Sequence, residues 1–350
     1  MTQPADATSG RDPAPRAPDE AAPRHETSTR DGTALLAEER PAPPRNAFEQ
    51  FLASAFVRVV LGFVLLDWVA RRIIGWLGDR LYAVFDRAST LLFGPEQRYV
   101  DVGYPRLPEA VAMVIVPLVL YWGFVRLTER RRVRELGGGW RGALEGVTGL
   151  ALGAGLFAVV VGILAAAEAY GLIGRDEWVV VQWSAAPAAV AFREELLYRG
   201  VIQRVSEERL GTWLALAFAS VWFGWQHADN PNAGLFDGVM IALFGGVLLG
   251  ACFVATRRLW LAIGVHAAWN FVEGGVFGTP VSGYAIPGVL RSSLSGPEWL
   301  TGGPFGPESS LVTLAVTSAA SAALLVVAWK RGNLRRPRLR STGGGGTGRA

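Results

Sequence analysis

The chain is predicted to be an all-α, polytopic membrane helix bundle with about eight transmembrane helices. Three observations predict that class. Of its 350 residues 51% are hydrophobic, and mean hydropathy is positive at +0.27. Apolar segments close to the ~20 residues that a bilayer requires alternate with short polar breaks. Arg residues gather beside those segments, where they set orientation across a membrane. The 13 Trp and 43 Gly fit the same class. The single Cys252 excludes an internal disulfide framework. The net charge of +4 implies no nucleic-acid partner, because the basic residues flank apolar segments.

Residues 1–46 contain no Ile, Val, Phe, Tyr or Trp and are rich in Pro. Such a segment buries too little apolar surface to offset its ordering entropy, so it reads as a disordered arm. It has no apolar h-region of the kind a signal peptide needs. The transmembrane domain follows over 47–329, with spans expected at 51–70, 109–127, 143–167, 179–204, 212–228, 234–256, 259–278 and 309–329. Residues 71–95 are amphipathic and are expected at the membrane interface. "SEERLG" (206–211) is the expected turn between the fourth and fifth spans, and "HADNP" (227–231) a helix end and turn. Residues 279–308 form a Gly/Pro-rich loop of low charge, and 330–350 a basic, Gly-rich, disordered tail.

With eight alternating helices, "RLTERRRVR" (126–134), Arg257–Arg258 and the tail fall on one side. The positive-inside rule makes that side cytoplasmic, with both termini inside; Arg71 and Arg72 fall on the other side. Lys330 is the one lysine, and the Arg, Ala and Gly excess points to a bacterial genome and an inner-membrane location.

An ionisable residue at membrane depth costs at least ~2.5–3.5 kcal/mol on insertion scales, so it has a partner or a function. Three clusters qualify. In "EELLYR", Glu195 and Arg199 are i,i+4 neighbours and can pair, while Glu194 points about 100° away. "FGWQH" ends on His227. In "HAAWN", His266 and Asn270 share one helix face. Counted from the 206–211 turn at ~1.5 Å per residue, Glu194 and His227 lie at similar depth, roughly 20–25 Å; His266 lies only roughly 12 Å beyond Arg257–Arg258. Arg193 is expected to reach water or a neighbouring carboxylate. Arg58 and Asp67 are not one turn apart, so each is expected to face another helix or the interface. Glu145, Glu168, Asp237 and Glu273 lie near helix ends, where solvation costs little.

These clusters resemble the motifs of the CPBP family, the CAAX prenyl protease and bacteriocin-processing intramembrane endopeptidases: EExxxR, FxxxH and HxxxN, in that order on successive apolar segments. The resemblance covers about 140–280. It implies peptide-bond hydrolysis inside the membrane. Chemistry of the residues agrees: an apolar site raises the proton affinity of Glu194, which suits it as general base, with His227 positioning the water. His266 and Asn270 suit an oxyanion hole, and Glu195 with Arg199 a supporting pair. No cofactor is favoured. The competing reading is a zinc site built from Glu194, His227 and His266, with an open water position; there is no HExxH to demand it. The functional alternative is a non-catalytic membrane scaffold or immunity-type protein of the same fold. The expected partners are the lipid bilayer and a membrane-associated peptide or protein. A bacterial source argues against a prenylated substrate, because prenylation is chiefly eukaryotic.

Overall fold

The computed structural model describes residues 54–93, 107–176 and 184–338. The expected disordered arm (1–46) and the end of the tail lie outside the described residues. Helix α1 (Ala55–Phe63) runs through a π-helical stretch (Val64–Val69) into α2 (Ala70–Phe93). Then come α3 (Leu107–Phe124) with a π turn at Val125–Glu129, α4 (Gly139–Ala166), and strand β1 (Tyr170–Arg175). Helix α5 (Ala185–Glu195) continues as a π stretch (Leu196–Gln203) into α6 (Arg204–His227). Helix α7 (Leu235–Ile241) passes through Ala242–Gly246 into α8 (Val247–Thr256), and α9 (Trp260–Asn270) ends in Phe271–Val276. Strand β2 (Leu290–Leu294), the short α10 (Glu298–Thr301), two 3₁₀ turns (Gly303–Phe305 and Pro307–Ser309) and α11 (Leu311–Lys330) complete the fold. The molecule is thus an all-α membrane bundle carrying one small antiparallel sheet, in which Tyr170 pairs with Leu294 and Arg175 with Leu290.

Among the described residues four helices are long and apolar enough to cross a membrane: Glu109–Glu129, Gly139–Ala166, Leu235–Thr256 and Leu311–Lys330. They match four of the eight expected spans. The others carry the charged residues of the site or fall short in length. Leu235–Thr256 is the central helix, 83% buried, whereas the other three bury no more than 33% and turn apolar faces outward.

Three differences from the sequence reading have clear causes. The span expected over 51–70 and the interfacial segment expected over 71–95 are continuous, since α1 runs through the π stretch into α2 with charges paired along the helix. Arg71 donates to Asp67 at 2.9 and 2.7 Å, and Arg72 and Arg80 lie over Trp68 and Trp76. The turn expected over 206–211 contracts to Gly211, whose φ of 72° is open to glycine; residues 204–210 stay helical. The tail is held as far as 338. Asn333 Nδ2 donates to the carbonyls of Val254 and Ala255, both at 3.0 Å, and Thr212 N donates to Arg335 O at 3.0 Å. A Cβ on Gly211 would stand 2.7 Å from Pro337 N.

Close approach of backbones sets the helices that carry the site. Gly149 and Gly153 of α4 face Leu261, Gly264 and Val265 of α9, and a Cβ at Gly149 would stand 2.5 Å from Leu261 O. Small residues let membrane helices approach this closely, where packing rather than water drives association. Gly224 on α6 likewise meets the backbone of Gly238 on α7. Phe157 and Phe244 then pack on Trp269, with ring centroids 5.0 and 4.8 Å apart, fixing the end of α9.

Candidate active site

Helices α5, α6 and α9 bring the three clusters together. Glu194 Oε2 lies 3.9 Å from His227 Nε2 and 3.9 Å from His266 Nε2. The sequence left His266 too shallow to meet Glu194. The π stretch Leu196–Gln203 closes part of that gap, because i→i+5 bonding advances less per residue and brings Glu194 nearer the Arg-rich end. Asn270 is one turn beyond His266 and donates from Nδ2 to Pro187 O at 3.0 Å, leaving its second N–H free of that bond. Glu194, His266 and Asn270 are all buried.

Both imidazoles are oriented from behind. His227 Nδ1 is 2.7 Å from Phe223 O, and a carbonyl only accepts, so that nitrogen carries the proton. His266 Nδ1 is 2.8 Å from Glu195 Oε1. Each ring in its neutral form therefore turns a bare Nε2 toward Glu194. Glu195 is held in turn by Arg199, whose NH1 is 2.9 Å away. Arg199 also donates to the carbonyls of Gly245 and Gly246 at 2.9 and 3.1 Å and lies 4.7 Å over the Phe223 ring. The expected Glu195–Arg199 pair is present, and its added role is to fix the His266 ring.

Glu194 is not the free carboxylate that the helix geometry suggested. Arg193 NH2 is 2.9 Å from its Oε1, while Arg193 NH1 reaches Asp67 Oδ1 at 2.6 Å. Asp67 and Arg193 are 126 positions apart in the chain, so no local signal announces the pairing. Arg58, the other charge of the first segment, binds Glu208 at 2.9 Å.

A cavity beside these groups is lined by His227, His266, Asn270 and Trp269, and on another wall by Ser282 and Glu308. Sequence reasoning passed over Ser282 and Glu308 because they sit in, and just at the end of, a loop of low charge. The loop is pinned over the cavity: Asn230 donates to Ser282 O at 3.1 Å and Asn232 to Gly283 O at 3.0 Å, from the turn after His227.

Residues 176–272 match the family model described as type II CAAX prenyl endopeptidase Rce1-like. This stretch is a CPBP-family domain. The match holds Glu194, Glu195, Arg199, His227, His266 and Asn270 within its bounds, and it stops short of Glu273 and Glu308. Residues 176–272 are thus similar to a family of CAAX-type intramembrane proteases, and the long apolar helices are those of a multi-pass membrane protein. No curated protein and no solved structure matches the chain.

The donor chemistry of Glu194, His227 and His266 is that of a zinc site, and a carboxylate behind a ligating His is a common support for one. As arranged, however, no group of three His, Cys, Asp or Glu side chains among the described residues is placed to hold a metal ion.

Proposed function

We propose that the protein is an intramembrane endopeptidase in which Glu194 activates water against a peptide bond. The observation that carries this reading is the convergence of three acceptors. Glu194 Oε2 and two unprotonated Nε2 atoms face one another at 3.9 Å, beyond hydrogen-bond length. Acceptors buried together need a donor between them. A water donates two protons, and it is the reagent that amide hydrolysis consumes. Glu194 takes a proton as the water oxygen attacks the carbonyl carbon, and His227 holds the water's other proton. Arg193 keeps Glu194 oriented. Asn270 offers its free N–H to the developing oxyanion. His266 can donate there only when its Nε2 carries a proton.

The substrate is a membrane-associated peptide or protein, and the Arg-rich end of the bundle lies in the cytoplasm of a bacterial inner membrane, with both termini there. Comparing membrane proteomes of wild type and Glu194→Ala by terminal-peptide labelling tests the reading. New termini present only with wild type are expected; identical terminal peptides would sink it, leaving the scaffold reading. Purified wild type is expected to keep full activity at negligible metal content after chelation. Stoichiometric zinc whose removal stops the reaction would replace the glutamate-only mechanism.

A further inference from the structure

The base of the proposed reaction is steered by a helix that lies outside the family match. Asp67 sits on the π stretch Val64–Val69, and the match begins at residue 176. Three contacts set the register of this first rod against the rod of α5 and α6. Arg58 binds Glu208 at 2.9 Å, a Cβ on Gly62 would stand 2.5 Å from Val201 Cγ1, and Asp67 Oδ1 accepts from Arg193 NH1 at 2.6 Å. As the first partner ascends the chain the second descends it, so the rods run antiparallel. The last rung delivers a carboxylate to the residue beside Glu194.

Arg193 and Glu194 are adjacent on one helix, and side chains one residue apart point about 100° away from each other. Their contact, 2.9 Å from NH2 to Oε1, is therefore not one that the helix makes by itself. Arg193 is 9% exposed, so its guanidinium is not drawn out to water as a membrane arginine usually is. Asp67 supplies what holds it: NH1 goes to Asp67, and NH2 is left for Glu194. Arg71 anchors Asp67 in turn, at 2.9 and 2.7 Å. The division matters because a guanidinium that meets a lone carboxylate closes on both its oxygens in parallel bonds. Glu194 Oε2 is the oxygen that faces His227 Nε2 and His266 Nε2 at 3.9 Å, where the reacting water is placed. A second bond from Arg193 would occupy it.

We propose that Asp67 is a positioning residue of the protease: by holding Arg193 NH1 it restricts the guanidinium to Glu194 Oε1 and keeps Oε2 open to take the proton of the water. This rests on the protease reading above. Asp67 acts on Glu194 only through Arg193. The site is then complete only with the first rod in place, and the matched domain alone lacks one of its parts.

The test uses full-length protein in detergent and a quenched-fluorescence peptide spanning a cleavage site found in the terminal-peptide comparison. Asp67→Asn is expected to lower kcat by about 10–10²-fold with KM unchanged, a part of the ~10²–10⁴-fold that a general base supplies. Asp67→Glu keeps an anion for NH1 and should restore kcat to within a few-fold of wild type. Arg193→Gln removes the fork, so adding Asp67→Asn to it should change kcat no further. If Asp67 merely ties two helices together, its loss costs the same in both backgrounds, and that result overturns the proposal. A rise in KM with kcat unchanged overturns it too. A structure of the Asp67→Asn variant gives a reading that needs no activity. Arg193 NH1 and NH2 are expected within hydrogen-bond distance of the two Glu194 oxygens; a guanidinium turned away from Glu194 overturns the proposal. Identical terminal peptides in the comparison would sink the protease reading, and the variant structure would still decide how Asp67 directs Arg193.

Discussion

The two ends of the bundle treat charge in opposite ways. At the Arg-rich end, buried charges are paired several times over. Arg204 grips Glu129 with two bonds of 2.9 and 2.6 Å, Arg131 joins Glu129 at 2.6 Å and Glu135 at 2.8 and 2.7 Å, and Arg257 pairs with Glu207. Tyr121 donates to Glu135, and Arg258 holds Glu145 at 2.9 Å. These contacts tie α3, the loop after it, α4, α6 and α8 to one another. Unpartnered buried atoms occur at both ends, Arg58 Nε and Arg257 Nε at the Arg-rich end and Glu195 Oε2 and Glu273 Oε1 at the cavity end, but at the cavity end three acceptors also meet around Glu194. A membrane protein has no water at depth to satisfy such atoms, so their retention costs stability. The paired end holds the helices; the unpaired end keeps reactive groups in place for a substrate and water.

The comparison can be broken at several points. The largest effect is expected from Glu194→Gln, which should cut turnover by ~10²–10⁴-fold with little change in melting temperature in detergent. Asp67 still holds Arg193, so no orphan charge results. If this variant melts as early as Arg199→Ala, the division between chemistry and support is wrong. Arg204→Ala should do the reverse. It removes two bonds from Glu129, which keeps Arg131 and Arg58, and should cost ~1–3 kcal/mol, read by thermal unfolding, while the folded fraction cleaves at the wild-type rate. Asn270→Ala should lower turnover by ~10²–10³-fold, about 2.7–4 kcal/mol, with KM unchanged. A rise in KM instead would place Asn270 in ground-state binding.

The smallest effect is a pH response of the paired end. Burial pushes the Glu135 carboxyl up, but the charges of Arg204 and Arg131 and their hydrogen bonds outweigh it, and the group lies below the ordinary carboxylate range. A depressed value means stability that is complete above the unfolded value of about 4.3 and is lost as pH falls through the folded one. Melting temperature should therefore hold through mild acid and drop only below the usual carboxylate range. Arg131→Ala should move that drop to higher pH; an unchanged profile would show that Glu135 contributes nothing.

Much of the site was legible because the membrane makes ionisable residues conspicuous. Glu194, Glu195, Arg199, His227, His266 and Asn270 stand out against apolar neighbours, and i,i+4 spacing alone pairs Glu195 with Arg199. What could not be read depends on contacts distant in sequence. Arg193 finds Asp67 across most of the bundle. Glu273 read as a solvated helix end, yet it is fully buried because the 279–308 loop folds back over it. The depth of His266 was misjudged because straight α-helical rise ignores the π stretch beneath Glu194. Four expected spans follow from length and hydropathy alone; the others are shorter or carry charged residues.

The stretch from Arg331 to Arg338 has a practical meaning for anyone who trims this protein. It fills the elbow at Gly211, and the Asn333 carbonyl accepts from Arg257. A version cut at Lys330, where hydropathy says the last helix ends, would uncover a bent backbone and remove one acceptor from a buried guanidinium. The shortest well-behaved version should stop after Arg338. An affinity tag placed directly at 331 would pull on the hinge between the helix that carries Glu194 and the helix that carries His227.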